Sequence, residues 1–198
     1  MGGSMTTTSP RLVNWENGTD LVIELPLALD VATVWSKLVD AENARTWFAS
    51  FTVDDDGDDA DGASEETNPA ITFDLGETQL HGEILSCEVE DHVLIELEDF
   101  GVLGIQLLAL ELTDGDATLL IFTQSAPDVE SARLKAADFG PMWDTHLRLF
   151  ARTLGLDVVE AGEEELLALY ADLELEDSEA ENGASDASAS EDGGANEE

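Results

Sequence analysis

The stretch Phe139 to Leu154, FGPMWDTHLRLFARTL closed by Gly155, limits what this chain can fold into more than any other. Phe139, Met142, Trp143, His146, Leu147, Phe150 and Leu154 recur at steps of three and four, which places them on one broad face of a 3.6-residue helix. Asp144, Thr145, Arg148 and Arg152 fall on the other face, which reads as the solvent side. Pro141 suits a first helical turn, where its missing N–H is not needed, and Gly155 suits a left-handed residue past the end. Burial of side chains such as Trp143, Leu147 and Phe150 stabilises by about 1.5–3 kcal/mol each, so a large apolar surface must oppose this helix. A curved sheet is expected to provide it.

The strands for such a sheet lie upstream. Leu12, Val13 and Trp15 form a strand or half-strand, Asn17-Gly18 a turn, and residues 21–25 a full strand that Pro26 is expected to end. Asp30 can cap a helix through Val31, Val34, Trp35, Leu38 and Val39, followed by a short helical turn from Ala44 to Phe48. Strand-like segments then occupy 71–75, 79–89, 92–98, 102–113 and 117–123, with connections short enough to make neighbours antiparallel. Residues 127–135 read as a variable connection into the long helix.

Charge divides the chain. The 198 residues carry a formal net charge of −39. Sixteen acids and no Lys or Arg follow Arg152, and eight acids stand between Asp54 and Glu66. Residues 1–10 read as a flexible leader, 11–155 as one domain with an acidic mobile loop at 54–69, 156–175 as an acidic extension, and 176–198 as a disordered acidic tail. Within the extension, Leu166, Leu169, Tyr170 and Leu173 share a helical face, expected either to pack on the domain or to bind a partner. Acidic disordered segments on an ordinary domain explain the charge, and so does salt adaptation. Either way, direct binding of nucleic acid or an anionic membrane is disfavoured by repulsion. A single cysteine, Cys87, permits no internal disulfide, and no apolar run approaches a membrane span, so a cytoplasmic location is expected.

Motifs of catalysis are sparse. The sequence has no Gly-x-Ser-x-Gly, no phosphate-binding glycine loop and no dinucleotide fingerprint, and no cofactor is expected. His81, His92 and His146 with Cys87 lack the close-paired spacing of a zinc site, and no metal is expected. The acid-rich run from Asp54 fails the EF-hand pattern, since aligning Gly57 with the invariant glycine puts Thr52 and Ala63 at ligand positions. Cys87 reads as an inert buried thiol, and Arg148 with Arg152 as a surface pair near a helix C-terminus.

Three stretches carry a family resemblance. Leu25-Pro-Leu-Ala-Leu-Asp-Val-Ala-Thr-Val-Trp35 continues to Ala44-Arg-Thr-Trp-Phe48; His81-Gly-Glu-Ile-Leu-Ser-Cys-Glu-Val89 leads into 92–98; and Gly140-Pro-Met-Trp143 precedes Leu147, Phe150 and Gly155. Together, over roughly Leu12 to Gly155, they resemble the stand-alone bacterial proteins similar to the C-terminal domain of the activator of heat-shock protein ATPase, in the START-like (SRPBCC) superfamily. The resemblance implies an α+β helix-grip fold, a curved antiparallel sheet wrapped around a long C-terminal helix, with a cavity between them.

Superfamily members include lipid carriers, hormone receptors and cyclases, so fold does not select function. The implied cavity would be lined by Trp47, Phe48, Phe73, Phe100, Phe122, Trp143, His146, Leu147 and Phe150, although aromatics more often fill a closed core. His81, Gln106 and Gln124 on strands, with His146, are the polar candidates for orienting a ligand, although such a histidine is more often a satisfied structural group. The expected function is therefore non-covalent binding of a small apolar or amphipathic molecule. A protein-interaction module, chaperone-associated by family analogy and acting through the acidic surface and extension, is the alternative. An enzyme of the cyclase or hydrolase kind stands third.

Overall fold

A computed structural model describes residues 5–54, 68–113 and 115–178. The chain runs β1 (Ser9–Trp15), β2 (Gly18–Leu27), α1 (Val31–Leu38), α2 (Ala41–Trp47), β3 (Ser50–Asp54), β4 (Ala70–Asp74), β5 (Gln79–Glu88), β6 (His92–Leu97) and β7 (Gly101–Leu112). It continues with β8 (Gly115–Ala126), α3 (Val129–Thr153), α4 (Glu163–Ala171) and β9 (Leu175–Asp177). Among the described residues nine strands form one sheet in the order β3-β4-β5-β6-β7-β8-β2-β1-β9. Every neighbouring pair is antiparallel except β1 with β9. The curved sheet wraps α3, and the architecture is α+β helix-grip.

Local chemistry sets the element ends. The Asp30 carboxylate accepts from Thr33 N and starts α1, and the Asp128 carboxylate accepts from Ser131 N and starts α3. The long helix therefore begins ten residues before Phe139, taking in the segment expected to be a connection, and Pro141 lies inside it. A proline there leaves the carbonyl four residues earlier without its helical donor, a cost that flanking tertiary contacts must offset. Gly155, at φ +79, is the expected left-handed residue past the helix end. Pro26 does not end its strand: β2 runs to Leu27, with Pro26 opposite Leu119 of β8. Its carbonyl accepts from the Thr6 hydroxyl on the β1 side, where β1 pairing has already stopped at Ser9 opposite Glu24, so the missing N–H faces no ladder.

Both termini of the expected domain extend beyond their predicted limits. Thr6 bridges Val158 in parallel, with Thr6 N donating to Asp157 O at 2.9 Å and Val159 N to Thr6 O at 2.8 Å. Residues 5–10 are thus held in the fold rather than forming a leader. The segment after Gly155 is likewise integral: Val158, Leu166, Tyr170 and Leu173 are buried in the common core, and β9 pairs with β1 through Leu12, Val13 and Asn14. The acidic loop expected at 54–69 and the tail expected at 176–198 lie mostly outside the described residues, although 176–178 continue β9 and its flank.

The polar side of α3 is only in part the solvent side: Thr145 and Arg152 are exposed, but Asp144 and Arg148 are buried. Asp144 is 0% and Arg148 7% exposed. Arg148 Nε donates to Asp144 Oδ1 at 2.5 Å, Arg148 Nη2 to Thr8 Oγ1 at 2.8 Å, and Arg148 Nη1 to the Val159 carbonyl. The second Asp144 oxygen accepts from the Thr8 hydroxyl at 2.6 Å and from the Tyr170 hydroxyl at 2.7 Å. This corrects the reading of Arg148 as a surface residue; only Arg152, bridged to Glu160 at 3.3 Å, behaves that way. An Asp and an Arg one turn apart neutralise each other, so the stripe they form can be buried once every donor and acceptor is paired. Burial and the Asp144 charge both push the Tyr170 hydroxyl pKa well above its ordinary value.

Candidate functional site

Helix α3 presses on β1, β2 and β8, while no helix of the described residues packs closely on β4, β5 or β6. The consequence is visible side chain by side chain. Inward residues under α3, such as Ile23, Leu25 and Leu120, are wholly buried. The equally apolar inward residues Ile84, Val93 and Ile95 are only half-buried. They face a cavity of about 320 Å³ between the sheet, α2 and α3.

The helical wall is Trp47 at the end of α2 and Phe48 just past it, with Trp143, His146 and Leu147 from α3. Opposite lie Phe51 and Val53 of β3, Ile71 and Phe73 of β4, Leu103 and Ile105 of β7, and Phe122 of β8. Phe48 is the hub, its ring 5.2 Å from those of Phe73 and His146 and 5.9 Å from that of Trp143. Edge-on and tilted arrangements of this kind hold aromatic rings in fixed orientations. Val39, Val53 and Cys87 line the cavity and are also exposed, which marks its rim.

The polar groups of the wall are few. Trp143 Nε1 donates to Gln124 Oε1 at 3.2 Å, and Gln124 Nε2 donates to the Phe100 carbonyl at 3.0 Å. Gln124 is 1% exposed, so its amide is consumed in holding the tryptophan. His146 Nδ1 lies 2.7 Å from the Trp47 carbonyl. The Trp47 indole N–H is sealed from water and has no hydrogen-bond partner among the described residues.

Of the sequence candidates, Trp47, Phe48, Phe73, Phe122, Trp143, His146 and Leu147 come together around the cavity. Phe100 and Phe150 stand behind it, Phe100 against Phe139 and Trp143, and Phe150 against Trp47 at 5.0 Å. Two polar candidates are elsewhere: His81 and Gln106 are exposed on the outer sheet face, His81 Nδ1 lying 3.3 Å from Thr72 Oγ1. Each sits one residue out of phase with its inward neighbours, and strand alternation turns it outward.

Cys87 also departs from expectation. It is exposed at the rim rather than buried, near the end of β5; a bulge between Ile84 and Ser86 shifts the register and turns it to the inner face, opposite Val93. Sequence reasoning missed the aliphatic half of the wall: Ile71, Ile84, Val93, Ile95 and Ile105. Their alternation was the available signal, but alternation alone does not distinguish a filled face from an empty one.

Outside the cavity, Glu88, Asp91 and His92 bring potential metal-binding atoms within 4.8 Å of one another. Both imidazole nitrogens of His92 are already engaged, Nδ1 with Asp91 at 2.5 Å and Nε2 with Ser86 Oγ at 2.8 Å. No helix of the described residues is long and apolar enough to cross a membrane.

No protein-family model matches the chain, and no curated protein matches it. Solved structures do. The fold is similar to that of CalU16 from Micromonospora echinospora, at 16% identity over 80% of each chain with a TM-score of 0.54. A conserved protein of unknown function from Enterococcus faecalis is similar at 15% identity, over 82% of this chain and 88% of that one, with a TM-score of 0.57. The protein SSP2350 from Staphylococcus saprophyticus gives 15% identity, coverage of 72% and 97%, and a TM-score of 0.50. At these identities the likeness concerns the fold alone, a helix-grip fold.

Proposed function

We propose that this protein binds one small apolar or amphipathic molecule non-covalently in the cavity between α3 and the β4–β7 part of the sheet. The observation that carries the reading is the uncovered inner face. Ile84, Val93 and Ile95 point into about 320 Å³ of space with an exposed rim, where β2 and β8 are sealed by the helix. That volume falls within the range of small-molecule pockets, and the aromatic lining would supply the affinity. The resemblance to heat-shock-ATPase activator-like proteins agrees with this fold but favours no particular ligand. A chaperone-associated role through the C-terminal segment ranks second, because α4 spends Leu166 and Tyr170 on packing against α3.

Native mass spectrometry of gently purified protein, compared with the denatured sample, tests the reading. A stoichiometric organic adduct released on unfolding is expected. Absence of any adduct, together with failure to bind an added fluorescent apolar probe such as 1-anilinonaphthalene-8-sulfonate, would remove the basis for it.

A further inference from the structure

The hydrogen bond that fixes His146 also fixes its chemistry. The Trp47 carbonyl can only accept, so the proton of the 2.7 Å contact belongs to Nδ1 of His146. In the neutral imidazole the other nitrogen, Nε2, is then a bare acceptor. Among the described residues Nε2 has no hydrogen-bond partner, and it is not among the polar atoms sealed from solvent. His146 is part of a wall that is otherwise almost wholly apolar. Trp143, the nearest polar-tipped neighbour on the same helix face, has its N–H committed to Gln124. The Trp47 N–H is unpartnered but buried away from the cavity surface.

We infer that the cavity selects an apolar molecule bearing one hydroxyl group, whose O–H donates to Nε2 of His146. This rests on the cavity-binding reading and narrows it to a ligand class. A hydroxyl is the fitting group because it is a small uncharged donor: its O–H satisfies Nε2 while the rest of the molecule meets the apolar wall. Ethers and ketones of the same shape lack the proton that Nε2 requires. Hydrocarbons leave Nε2 unpaired.

The experiment uses 2-naphthol and 2-methoxynaphthalene, which share a ring system and differ in the O–H. Dissociation constants are measured by tryptophan fluorescence for the full chain and for His146→Phe. The methoxy compound is the more hydrophobic, so the readout is the ratio of the two constants and how it changes with the substitution. Loss of the imidazole should shift that ratio against naphthol by about tenfold. A shift under about threefold overturns the hydroxyl anchor while leaving the apolar cavity intact. Failure of both probes to bind the unsubstituted chain overturns the cavity reading and this one together. Should His146→Phe not fold, the imidazole nitrogen resonances of the unsubstituted protein decide. The Nδ1–H tautomer, with an Nε2 signal that moves on adding 2-naphthol but not its methyl ether, is expected. The opposite tautomer, or equal responses to both probes, overturns the inference.

Discussion

Ending the chain at Gly155, where its sequence suggests a domain boundary, should abolish folding. Truncation removes Val158, Leu166, Tyr170 and Leu173, each 5% exposed or less, from the core. At about 1.5–3 kcal/mol for each buried apolar side chain, the four together contribute about 6–12 kcal/mol. Loss of the Tyr170 hydroxyl and the Val159 carbonyl also leaves Asp144 and Arg148 short of partners in what had been a buried site. A domain of this size is stable by only about 5–15 kcal/mol, so the deficit takes up most or all of the margin. Urea unfolding followed by far-ultraviolet circular dichroism and tryptophan fluorescence is the assay, with the full chain beside residues 1–155. The full chain should unfold cooperatively and the truncated one should show no cooperative transition. A truncated chain whose urea midpoint lies near that of the full chain would refute the reasoning, and would mean that α4 and β9 decorate the domain without supporting it.

Three further outcomes are expected. Gly140→Ala should destabilise by about 1–3 kcal/mol in the same urea assay, although alanine is the better helix former, because its Cβ would stand 2.2 Å from Cδ1 of the Tyr170 ring. Tyr170 is the single tyrosine, and its folded pKa is raised chiefly by burial and then by Asp144, above an ordinary 10.0. Its stabilising contribution is therefore complete below pH 10.0 and declines as pH rises beyond it, while the unfolded chain ionises. A spectrophotometric titration should show no tyrosinate until the protein unfolds, and a reversible step near the ordinary value in the folded protein would contradict this. Ile95→Phe should fill part of the cavity, weaken binding of 1-anilinonaphthalene-8-sulfonate by about tenfold or more, and leave the urea midpoint unchanged or raised; unaltered probe binding would place the probe elsewhere.

Much of this architecture was legible because it rests on periodicity. The three-and-four spacing of Phe139, Trp143, His146, Leu147 and Phe150 and the alternation in the strands identify the helix, the sheet and the faces that meet. What periodicity cannot convey is the height at which two faces are held apart. Ile84 and Ile23 look alike as inward strand residues, yet one faces space and the other a helix. The second buried stripe of α3 was hidden for a different reason. Asp144 and Arg148 are the residue types that normally mark a wet face, and only the paired geometry with Thr8 and Tyr170, from opposite ends of the chain, shows that they neutralise each other. Strand β9 was missed because Leu175–Asp177 is too short and too acidic to read as a strand; its register comes from β1, and Arg11 compensates Glu176 across the pair at 2.6 Å.

These two hidden features are connected through α3. One stripe of the helix, Gly140, Asp144 and Arg148, is clamped by the Tyr170 ring, the Thr8 hydroxyl and the strand-like segment around Val158. The adjacent stripe, Trp143, His146 and Leu147, forms the cavity wall. A helix held only by the sheet would gain by tilting down onto Ile84, Val93 and Ile95, because closing an apolar void recovers both dispersion contacts and buried area. The clamp opposes that collapse from the far side, with directional hydrogen bonds that a tilt would break and a glycine contact that leaves little room to slide. On this argument the acidic C-terminal segment, through α4 and β9, supports the site without touching it. Weakening the clamp should therefore close the cavity before it unfolds the protein.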